Sequence, residues 1–375
     1  MRLLKLRFGI VGLRRGLDFF NMLTLAPDVE VVAVCDTDEK RLKSFAEGHG
    51  IRYAYTDFHD LLRPGIDAVV ICSPPIYHAE QAISALEEDI HVLSEVPAAY
   101  TLEECKELVK AARESKGKYM MAENYCFFAF IQTWKAIIRA GLLGRITYAE
   151  AEYIHDIREL LRWHFRRDGP SHWRLNYPFI QYCTHALGPI LYLLEGDYCV
   201  SVSALDTGPS VLKEEMGREL PDAAMALFKT AKGVVIKYLV DLVTKRISPP
   251  YTWYCVNGTK GYLESERSRW DKPKANLEDI PNLHDYMILP IDRYYPRDEA
   301  VAVYEGYESS SLKEKAIGWG GEWKMLNSFL EALRRDTKPP IDVYEAMDYT
   351  VPGIIARESA ERGGVRLEIP NLRRL

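Results

Sequence analysis

Two side chains that exchange protons, Tyr182 and His185, lie three residues apart near the middle of the chain. If this segment is helical, both residues share one face of the helix. A histidine exchanges protons near neutral pH, and an adjacent tyrosine can relay a proton. Tyr153, from an earlier segment, completes a candidate set for acid–base chemistry. The alternative is that His185 is a packing residue on an apolar face, and that Tyr182 has no special role in a chain with 23 tyrosines.

A glycine loop near the N-terminus, Gly12-Leu-Arg-Arg-Gly16, resembles a modified dinucleotide-binding turn. In the usual pattern, G-x-G-x-x-G, the position of Arg14 is a glycine and the last glycine falls one place later. Asp36 ends the second predicted strand, where a carboxylate can accept both ribose hydroxyls and repel a 2′-phosphate. The pattern favours NAD over NADP, with Arg14 or Arg15 at the pyrophosphate. For the loop alone, a tight strand–helix turn is the alternative.

Strands and helices alternate over the first third of the chain. Strands are predicted at 6–12, 29–36, 68–73, 91–94 and 118–123, with a helix from Thr101 that begins in a capping box with Glu104. Such alternation predicts a parallel sheet that binds ligands at the carboxyl ends of its strands. Side chains at those ends should converge on one crevice: Gly12, Asp36, Ser73, Glu95 and Glu123.

Composition limits the classes of function. A chain of 375 residues usually forms two domains, and a net charge of −6 does not favour nucleic acid or an anionic membrane as partner. No apolar run has the length of a membrane span, and the basic N-terminus leads into a strand and not into a signal peptide. Seven scattered cysteines indicate reduced thiols and a cytoplasmic location. The histidine spacings match no zinc signature, so no metal is expected.

Several motifs occur in the order typical of a known family. They are Ile71-Cys-Ser-Pro-Pro-Ile-Tyr-His78, His91-Val-Leu-Ser-Glu-Val-Pro97 and Gly141-Leu-Leu-Gly144. The chain resembles the glucose–fructose oxidoreductase/inositol dehydrogenase/MocA (Gfo/Idh/MocA) family over nearly its whole length. The resemblance implies an α/β fold: an N-terminal Rossmann domain with a parallel sheet (1–123) and a C-terminal α/β domain with an open, mostly antiparallel sheet (124–375). The family's usual Glu-Lys-Pro lysine, which often transfers protons, is Val96 here.

A narrower resemblance accounts for that valine. Glu95-Val-Pro, Met120-Met-Ala-Glu-Asn124, Tyr153-Ile-His-Asp156, Trp173-Arg174 and Tyr182-Cys-Thr-His-Ala-Leu-Gly-Pro189 are similar to motifs of the NAD-dependent glycosidases of glycoside hydrolase family 109. The chemistry implied is a transient oxidation of a sugar by NAD+, elimination of the C1 substituent, addition of water and return of the hydride. Tyr153, Tyr182 and His185 then carry the protons in place of the lysine.

Three departures from the glycosidase motifs fall around the expected substrate. Cys183 replaces a proline, the segment Tyr177-Pro-Phe-Ile-Gln181 lacks an Asn-Gly-Asn, and Gly318-Trp-Gly-Gly321 replaces Gly-His-Gly-Gly. The family's preferred sugar is therefore not transferred to this chain.

The resemblance and the strand-end argument together predict the remaining site residues. Glu123, His155, Trp173 and Arg174 are expected to bind the sugar or glycoside. For Glu123 the alternative is an exposed acid, and for Trp173 and Arg174 it is a surface cation–π pair. His155 either orients Tyr153 or ends a strand. The predicted cofactor-binding residues are Gly12, Arg14, Arg15, Gly16, Asp36, Ser73, Pro74, His78, Glu95, Pro97 and Asn124.

Beyond residue 124 the alternation ends. Helices are predicted at 130–140, 185–194 and 322–335, strands at 146–155, 199–204, 223–230, 233–243 and 254–263, and a mobile loop at 158–173. Residues 265–315 show the least clear pattern of helix or strand. By resemblance, a helix at about 343–363 packs back on the first domain, and the sheet face forms a homo-oligomer, a dimer or a tetramer.

Three functions remain open from sequence. The first is an NAD-assisted glycosidase. The second is a conventional NAD-dependent sugar or polyol dehydrogenase that uses Tyr182 and His185. The third is a non-catalytic protein that binds NAD or sugar.

Overall fold

The computed structural model describes residues 5–168, 172–246, 251–268, 271–278, 287–288 and 310–375. The chain divides into two units. The first contains Met1–Glu123, Arg297–Met347 and Leu372–Leu375, and the second contains Asn124–Pro296 and Asp348–Asn371. The chain therefore crosses between the units more than once, whereas the ranges expected from sequence cross once.

Within the described residues, helices and strands are numbered in chain order. The helices are α1 (Leu13–Leu23), α2 (Glu39–His49), α3 (Phe58–Leu62), α4 (His78–Glu87), α5 (Leu102–Glu114), α6 (Ala129–Arg139), α7 (Arg158–Asp168), α8 (Trp173–Asn176), α9 (Thr184–Leu193), α10 (Val211–Met216), α11 (Ser310–Arg334) and α12 (Val343–Glu361). The strands are β1 (Leu6–Val11), β2 (Val29–Cys35), β3 (Tyr53–Tyr55), β4 (Ala68–Ile71), β5 (His91–Ser94), β6 (Tyr119–Met121), β7 (Ile146–Ile154), β8 (Cys199–Asp206), β9 (Ala223–Thr230), β10 (Val235–Asp241), β11 (Thr252–Gly258), β12 (Gly261–Glu264), β13 (Lys274–Leu277), β14 (Met287–Ile288) and β15 (Leu367–Glu368).

The first unit contains a six-stranded parallel sheet in the order β3-β2-β1-β4-β5-β6. This confirms the predicted Rossmann-type sheet. β3 was not predicted, because it has three residues, lies at the sheet edge and is only partly buried. β4 is buried along its whole length, as expected of a strand covered by helices on both faces.

The predicted start of α5 is confirmed in atomic detail. The Thr101 Oγ1 accepts the N–H of Glu104 at 3.2 Å, and Oε2 of Glu104 accepts the N–H of Thr101 at 2.9 Å. This reciprocal capping satisfies backbone donors that a helix start leaves without partners. The helix buries Cys105, Leu108 and Val109, which lie on one face at helical spacing.

The second unit contains a nine-stranded sheet in the order β14-β13-β12-β11-β7-β10-β9-β8-β15. All neighbouring strands are antiparallel except β7 and β10, which confirms the open, mostly antiparallel sheet. From Ala224 onward, β9 alternates between buried and exposed residues. One face of the sheet therefore packs in the core, and α9 contacts β7 and β11.

The loop predicted at 158–173 is wrong for most of its length, since residues Arg158–Asp168 form α7. The segment is rich in charge, which favoured a loop in the sequence. On a helix, however, Glu159 and Arg162 form an ion pair three residues apart, and Leu161 and His164 are buried on the other side. The Asp156 Oδ1 also accepts the N–H of Arg158 at 3.1 Å, which stabilises the helix start.

The stretch 265–315 is described only at 265–268, 271–278, 287–288 and 310–315, where it includes β13 and β14. The rest of it lies outside the described residues. α11 begins at Ser310, before its predicted start, and α12 spans both units, so its expected packing on the first domain stays a prediction. Among the described helices, none has both the length and the apolar character needed to cross a membrane.

Candidate active site

Gly12 forms the turn between β1 and α1, and its surroundings exclude a side chain. Its φ of +84° is left-handed, and a Cβ there would lie 2.4 Å from the carbonyl oxygen of Cys72, just after β4. A Cβ at Gly16 would meet Cγ2 of Ile10 at 2.6 Å, so α1 packs closely on β1. These are the turn-forming and helix-packing roles of the outer glycines in a dinucleotide fingerprint, and the turn fits an NAD pyrophosphate.

Asp36 follows β2 and is 7% exposed. Its Oδ2 accepts the N–H of Leu13 at 2.8 Å. Its Oδ1 accepts the N–H of Asp38 at 2.9 Å and an Nη1–H of Arg41 at 2.9 Å. Because a carboxylate has about four acceptor positions, little capacity remains for ribose hydroxyls unless one of these donors moves.

Arg15, on the first turn of α1, is held by three carboxylates. Its Nε donates to Glu95 at 2.7 Å, its Nη1 to Asp18 at 2.9 Å and its Nη2 to Glu322 of α11 at 2.7 Å. Burial alone would lower the pKa of Arg15, but Glu95 and Glu322 raise it above its ordinary value. Arg15 therefore holds Glu95 in place, and the expected pyrophosphate contact of Arg14 stays a prediction.

His78 connects the two loops that follow β4 and β5. Its Nδ1 lies 2.8 Å from the carbonyl oxygen of Pro97, and its Nε2 lies 2.8 Å from that of Ser73. Burial lowers the pKa of His78, and a neutral imidazole donates from one nitrogen only. The Ser73 Oγ donates to Gln81 at 2.6 Å. His78 and Ser73 thus position the loops around Pro74 and Pro97, and their direct contact with a cofactor stays a prediction.

Glu123 and Asn124 follow β6. Glu123 is fully buried, which excludes the alternative of an exposed acid at a strand end. Burial of a charged carboxylate costs free energy unless hydrogen bonds or opposite charges compensate for it, so the surroundings of Glu123 must supply such partners. Asn124 begins the 3-10 helix Asn124–Phe127 of the second unit. The expected substrate and cofactor contacts of these two residues stay predictions.

The three predicted proton carriers lie together in the second unit. The ring centroid of His185 is 5.3 Å from that of Tyr182 and 5.7 Å from that of Tyr153, and the two tyrosines are 6.1 Å apart. All three side chains are buried. The helical argument for Tyr182 is wrong, because α9 begins at Thr184 and Tyr182 ends the preceding 3-10 turn. The bend before α9, and not a shared helical face, brings the two rings together.

His155 extends this group. The Tyr153 hydroxyl lies 2.9 Å from His155 Nδ1, and the His155 ring stacks on Tyr251 with centroids 4.0 Å apart. Burial, Arg174 and His185 lower the pKa of His155 to about 4, so His155 is neutral at physiological pH. A neutral imidazole that carries its proton on Nε2 can accept a hydrogen bond from the Tyr153 hydroxyl at Nδ1. We call Tyr125, Tyr153, His155, Tyr182 and His185 the aromatic cluster.

Trp173 and Arg174 border the aromatic cluster. The Arg174 Cζ lies 4.2 Å from the Trp173 ring centroid, and that ring lies 5.9 Å from the ring of Tyr182. The cation–π pair considered as the alternative is therefore present. Within the part of the chain that the structure describes, the buried Nε of Arg174 has no hydrogen-bond partner. Contact of Trp173 and Arg174 with a sugar stays a prediction.

Four residues around these groups were not predicted from sequence. Tyr125 stacks on His185 with centroids 4.2 Å apart, and its position beside the predicted Asn124 was an available signal. Arg41 lies only five residues after Asp36, on the first turn of α2, and could also have been found. Tyr251 and Glu322 lie far along the chain from His155 and Arg15, and no local pattern marks them. Over the described residues, no three metal-ligating side chains are grouped in a way that could hold an ion.

Two protein-family models match successive parts of the chain. Residues 6–123 match the model of the oxidoreductase family with an NAD-binding Rossmann fold. Residues 132–374 match the model of the C-terminal domain of glycosyl hydrolase 109.

Individual relatives agree with these matches. A glycosyl hydrolase family 109 protein of Solibacter usitatus is 28% identical, over 98% of this chain and 88% of its own length. An alpha-N-acetylgalactosaminidase of Bacteroides fragilis is 30% identical, over 83% of this chain and 76% of its own.

Solved structures share the fold at low identity. A levoglucosan dehydrogenase in complex with NADH and L-sorbose superposes with a TM-score of 0.78 at 19% identity, covering 98% of this chain and 99% of that one. The WlbA dehydrogenase of Bordetella pertussis, in complex with NADH and UDP-GlcNAcA, gives 0.73 at 21% identity over 98% and 99%.

Proposed function

The chain belongs to glycosyl hydrolase family 109, with the NAD-binding domain of the Gfo/Idh/MocA oxidoreductases, and we propose that it is a glycosidase that cleaves its substrate through transient oxidation. It is an NAD-dependent enzyme of carbohydrate chemistry. The observation that carries the glycosidase proposal is the grouping of Tyr153, Tyr182 and His185. These side chains supply proton carriers in place of the lysine of the usual Glu-Lys-Pro motif, which is Val96 in this chain.

The first unit supplies the cofactor site. Gly12 and Gly16 shape the turn, and Asp36 lies where the adenosine ribose is expected. When bound, NAD+ supplies a hydride acceptor that allows a sugar carbon to be oxidised and later reduced with no net redox change. Arg15 and His78 keep Glu95 and the strand-end loops in position around it.

The second unit supplies the proton chemistry. Oxidation of a sugar hydroxyl releases a proton from oxygen, and elimination removes a second proton from the carbon next to the ketone. The Tyr153 hydroxyl can accept the first proton while it releases its own along the hydrogen bond to His155, and the low pKa of His155 means that the imidazole passes this proton on and does not keep it. His185, with Tyr182 beside it, can take the second. Trp173, whose ring is paired with Arg174, is the aromatic side chain proposed to contact the C–H side of a sugar ring.

A glycoside assay with two readouts tests this function. We expect release of nitrophenol from one member of a nitrophenyl glycoside panel over many turnovers, with NADH never exceeding the enzyme concentration. The reason is that the hydride returns to the sugar in each cycle. Absorbance at separate wavelengths follows nitrophenol and NADH in the same cuvette. Steady NADH accumulation with a free sugar, and no release from any glycoside, would instead identify a dehydrogenase.

The open face of the second sheet supports a homo-oligomer. Leu205 is 62% exposed, Leu227 50% and Met225 42%. The strand register places Leu205 beside Met225, and Met225 beside Leu239. A row of apolar side chains across three neighbouring strands is typical of a surface covered by a partner. We propose that a second copy of this chain covers this face, in a dimer or a tetramer.

Replacing Leu227 with lysine is expected to shift the oligomer to monomer, because the charge would be buried without a partner in the interface. Light scattering during size-exclusion chromatography measures the mass. Leu17→Lys is the matched control, since Leu17 is 40% exposed on α1 of the first unit and should leave the mass unchanged. A monomeric wild-type protein would rule out the proposed assembly.

We also propose a reducing, cytoplasmic location. All seven cysteines are free thiols. Burial raises the pKa of Cys105 and Cys199, which keeps those thiols protonated and weakly reactive. Free thiols of this kind are typical of proteins in reducing compartments.

A further inference from the structure

Arg41 in the first unit is shared between two aspartates. Its Nη1 donates to Oδ1 of Asp36 at 2.9 Å, and its Nη2 lies 2.8 Å from Oδ2 of Asp38. Asp38 also caps α2, because its Oδ1 accepts the N–H of Arg41 at 3.0 Å. Two carboxylates and one guanidinium leave the group with one net negative charge. The side chain of Asp36 is buried, and those of Arg41 and Asp38 reach solvent. A ligand that binds at Asp36 therefore also lies close to the charges of Arg41 and Asp38.

A guanidinium near the end of the second strand is the group that receives a 2′-phosphate in Rossmann domains that bind NADP. This chain has that guanidinium, but both of its terminal nitrogens are occupied by carboxylates. A 2′-phosphate would have to displace one carboxylate from Arg41 and remain beside the other. Like charges placed together in this way oppose binding strongly.

We propose that Asp38, acting through Arg41, is a second determinant of the preference for NAD over NADP. Asp36, Arg41 and Asp38 together form a masked 2′-phosphate site, in which loss of one charge weakens the repulsion and loss of both also frees the Arg41 guanidinium. While either acid is charged, Arg41 keeps a partner, so the two substitutions should act more than additively. The inference rests on the proposed position of the adenosine ribose at Asp36, and it does not depend on the reaction catalysed.

Asparagine substitutions test the inference with little risk to folding. The cap of α2 does not need the charge of Asp38, because asparagine caps helices as well as aspartate does. At position 36 the asparagine carbonyl can still accept the N–H of Leu13. The dissociation constants of NAD and NADP are measured by calorimetry for Asp36→Asn, Asp38→Asn and the double variant. We expect the NADP-to-NAD ratio of dissociation constants to fall about 10-fold in each single variant and about 1,000-fold in the double variant. Adding Arg41→Gln to the double variant should abolish most of this gain.

Asp28→Asn is the matched control. Asp28 precedes β2, at the strand end opposite Asp36, and pairs with Arg334 through bonds of 2.6 and 2.7 Å. Removal of the Asp28 charge should leave the NADP-to-NAD ratio of dissociation constants unchanged. An unchanged ratio in the double variant would overturn the inference, as would an Asp36→Asn variant with unaltered NAD affinity, which would place the ribose elsewhere. Absence of glycoside cleavage, with these binding results intact, would contradict the proposed function alone.

Discussion

Replacing His185 with asparagine is expected to lower glycoside turnover by at least about 100-fold, the usual loss when a general acid–base group is removed. His185 stacks on Tyr125 and meets the edge of Tyr182, so its ring is held in one orientation for proton transfer. The affinity for NAD should change little, because His185 lies in the second unit, whereas the glycine turn and Asp36, which are expected to bind the pyrophosphate and the ribose, lie in the first. Initial rates of nitrophenol release and calorimetric NAD titrations measure the two effects.

His164→Asn is the control for loss of a buried histidine. His164 is 5% exposed and His185 9%, and His164 stacks on His172 in the same unit. It has no proposed chemical role, so its substitution should reduce thermal stability without a comparable loss of turnover. Equal losses of turnover in both variants would show that His185 acts through packing. Tyr182→Phe keeps the ring and removes only the hydroxyl, and it should also lower turnover while the fold is maintained.

Gly12→Ala is expected to lower the free energy of unfolding of the first unit by about 3 kcal/mol, from backbone strain and overpacking together. A left-handed φ disfavours alanine, and the new methyl group would lie 2.4 Å from a backbone oxygen that cannot rotate away. NAD affinity should fall as well, because the β1–α1 turn must shift. Thermal denaturation with and without NAD measures both effects.

Gly48→Ala provides the opposite case in the same unit. Gly48 lies inside α2 and is exposed, and a Cβ there would meet nothing within 4 Å. Alanine should therefore stabilise the helix by up to about 1 kcal/mol. If Gly12→Ala were as mild as Gly48→Ala, the close approach of the turn to Cys72 would be refuted.

Local patterns were enough to predict much of the first unit. The strands β1, β2, β4 and β5 are short, mostly apolar runs, and the capping box of α5 depends on Thr101 and Glu104 alone. β3 escaped prediction, because a three-residue edge strand has too few side chains to show a period. α7 escaped for a different reason. Its helical pattern is visible only when Leu161 and His164 are known to be buried, and burial depends on the rest of the fold.

The candidate site shows the same division. Tyr153, Tyr182 and His185 were selected for their side-chain chemistry and their motifs, and the structure places them together. Tyr182 and His185 do not share the predicted helical face. Instead, the 3-10 turn before α9 brings the ring of Tyr182 next to that of His185. Arg15 shows what the sequence could not indicate, since Glu95 and Glu322 bind its guanidinium, whereas the sequence offered Arg14 or Arg15 as the pyrophosphate contact.

The amino-acid sequence by itself was enough to predict the parallel first sheet, the glycine turn at Gly12, the carboxylate of Asp36 at the end of the second strand and the family. Each of these shows in short runs or motifs of neighbouring residues. Only the tertiary structure decided which groups share a charge or a proton. Arg15 meets Glu322 of α11, and His155 meets Tyr251. These contacts join distant segments, and their energies depend on burial and on distances of a few ångströms, which no local pattern encodes.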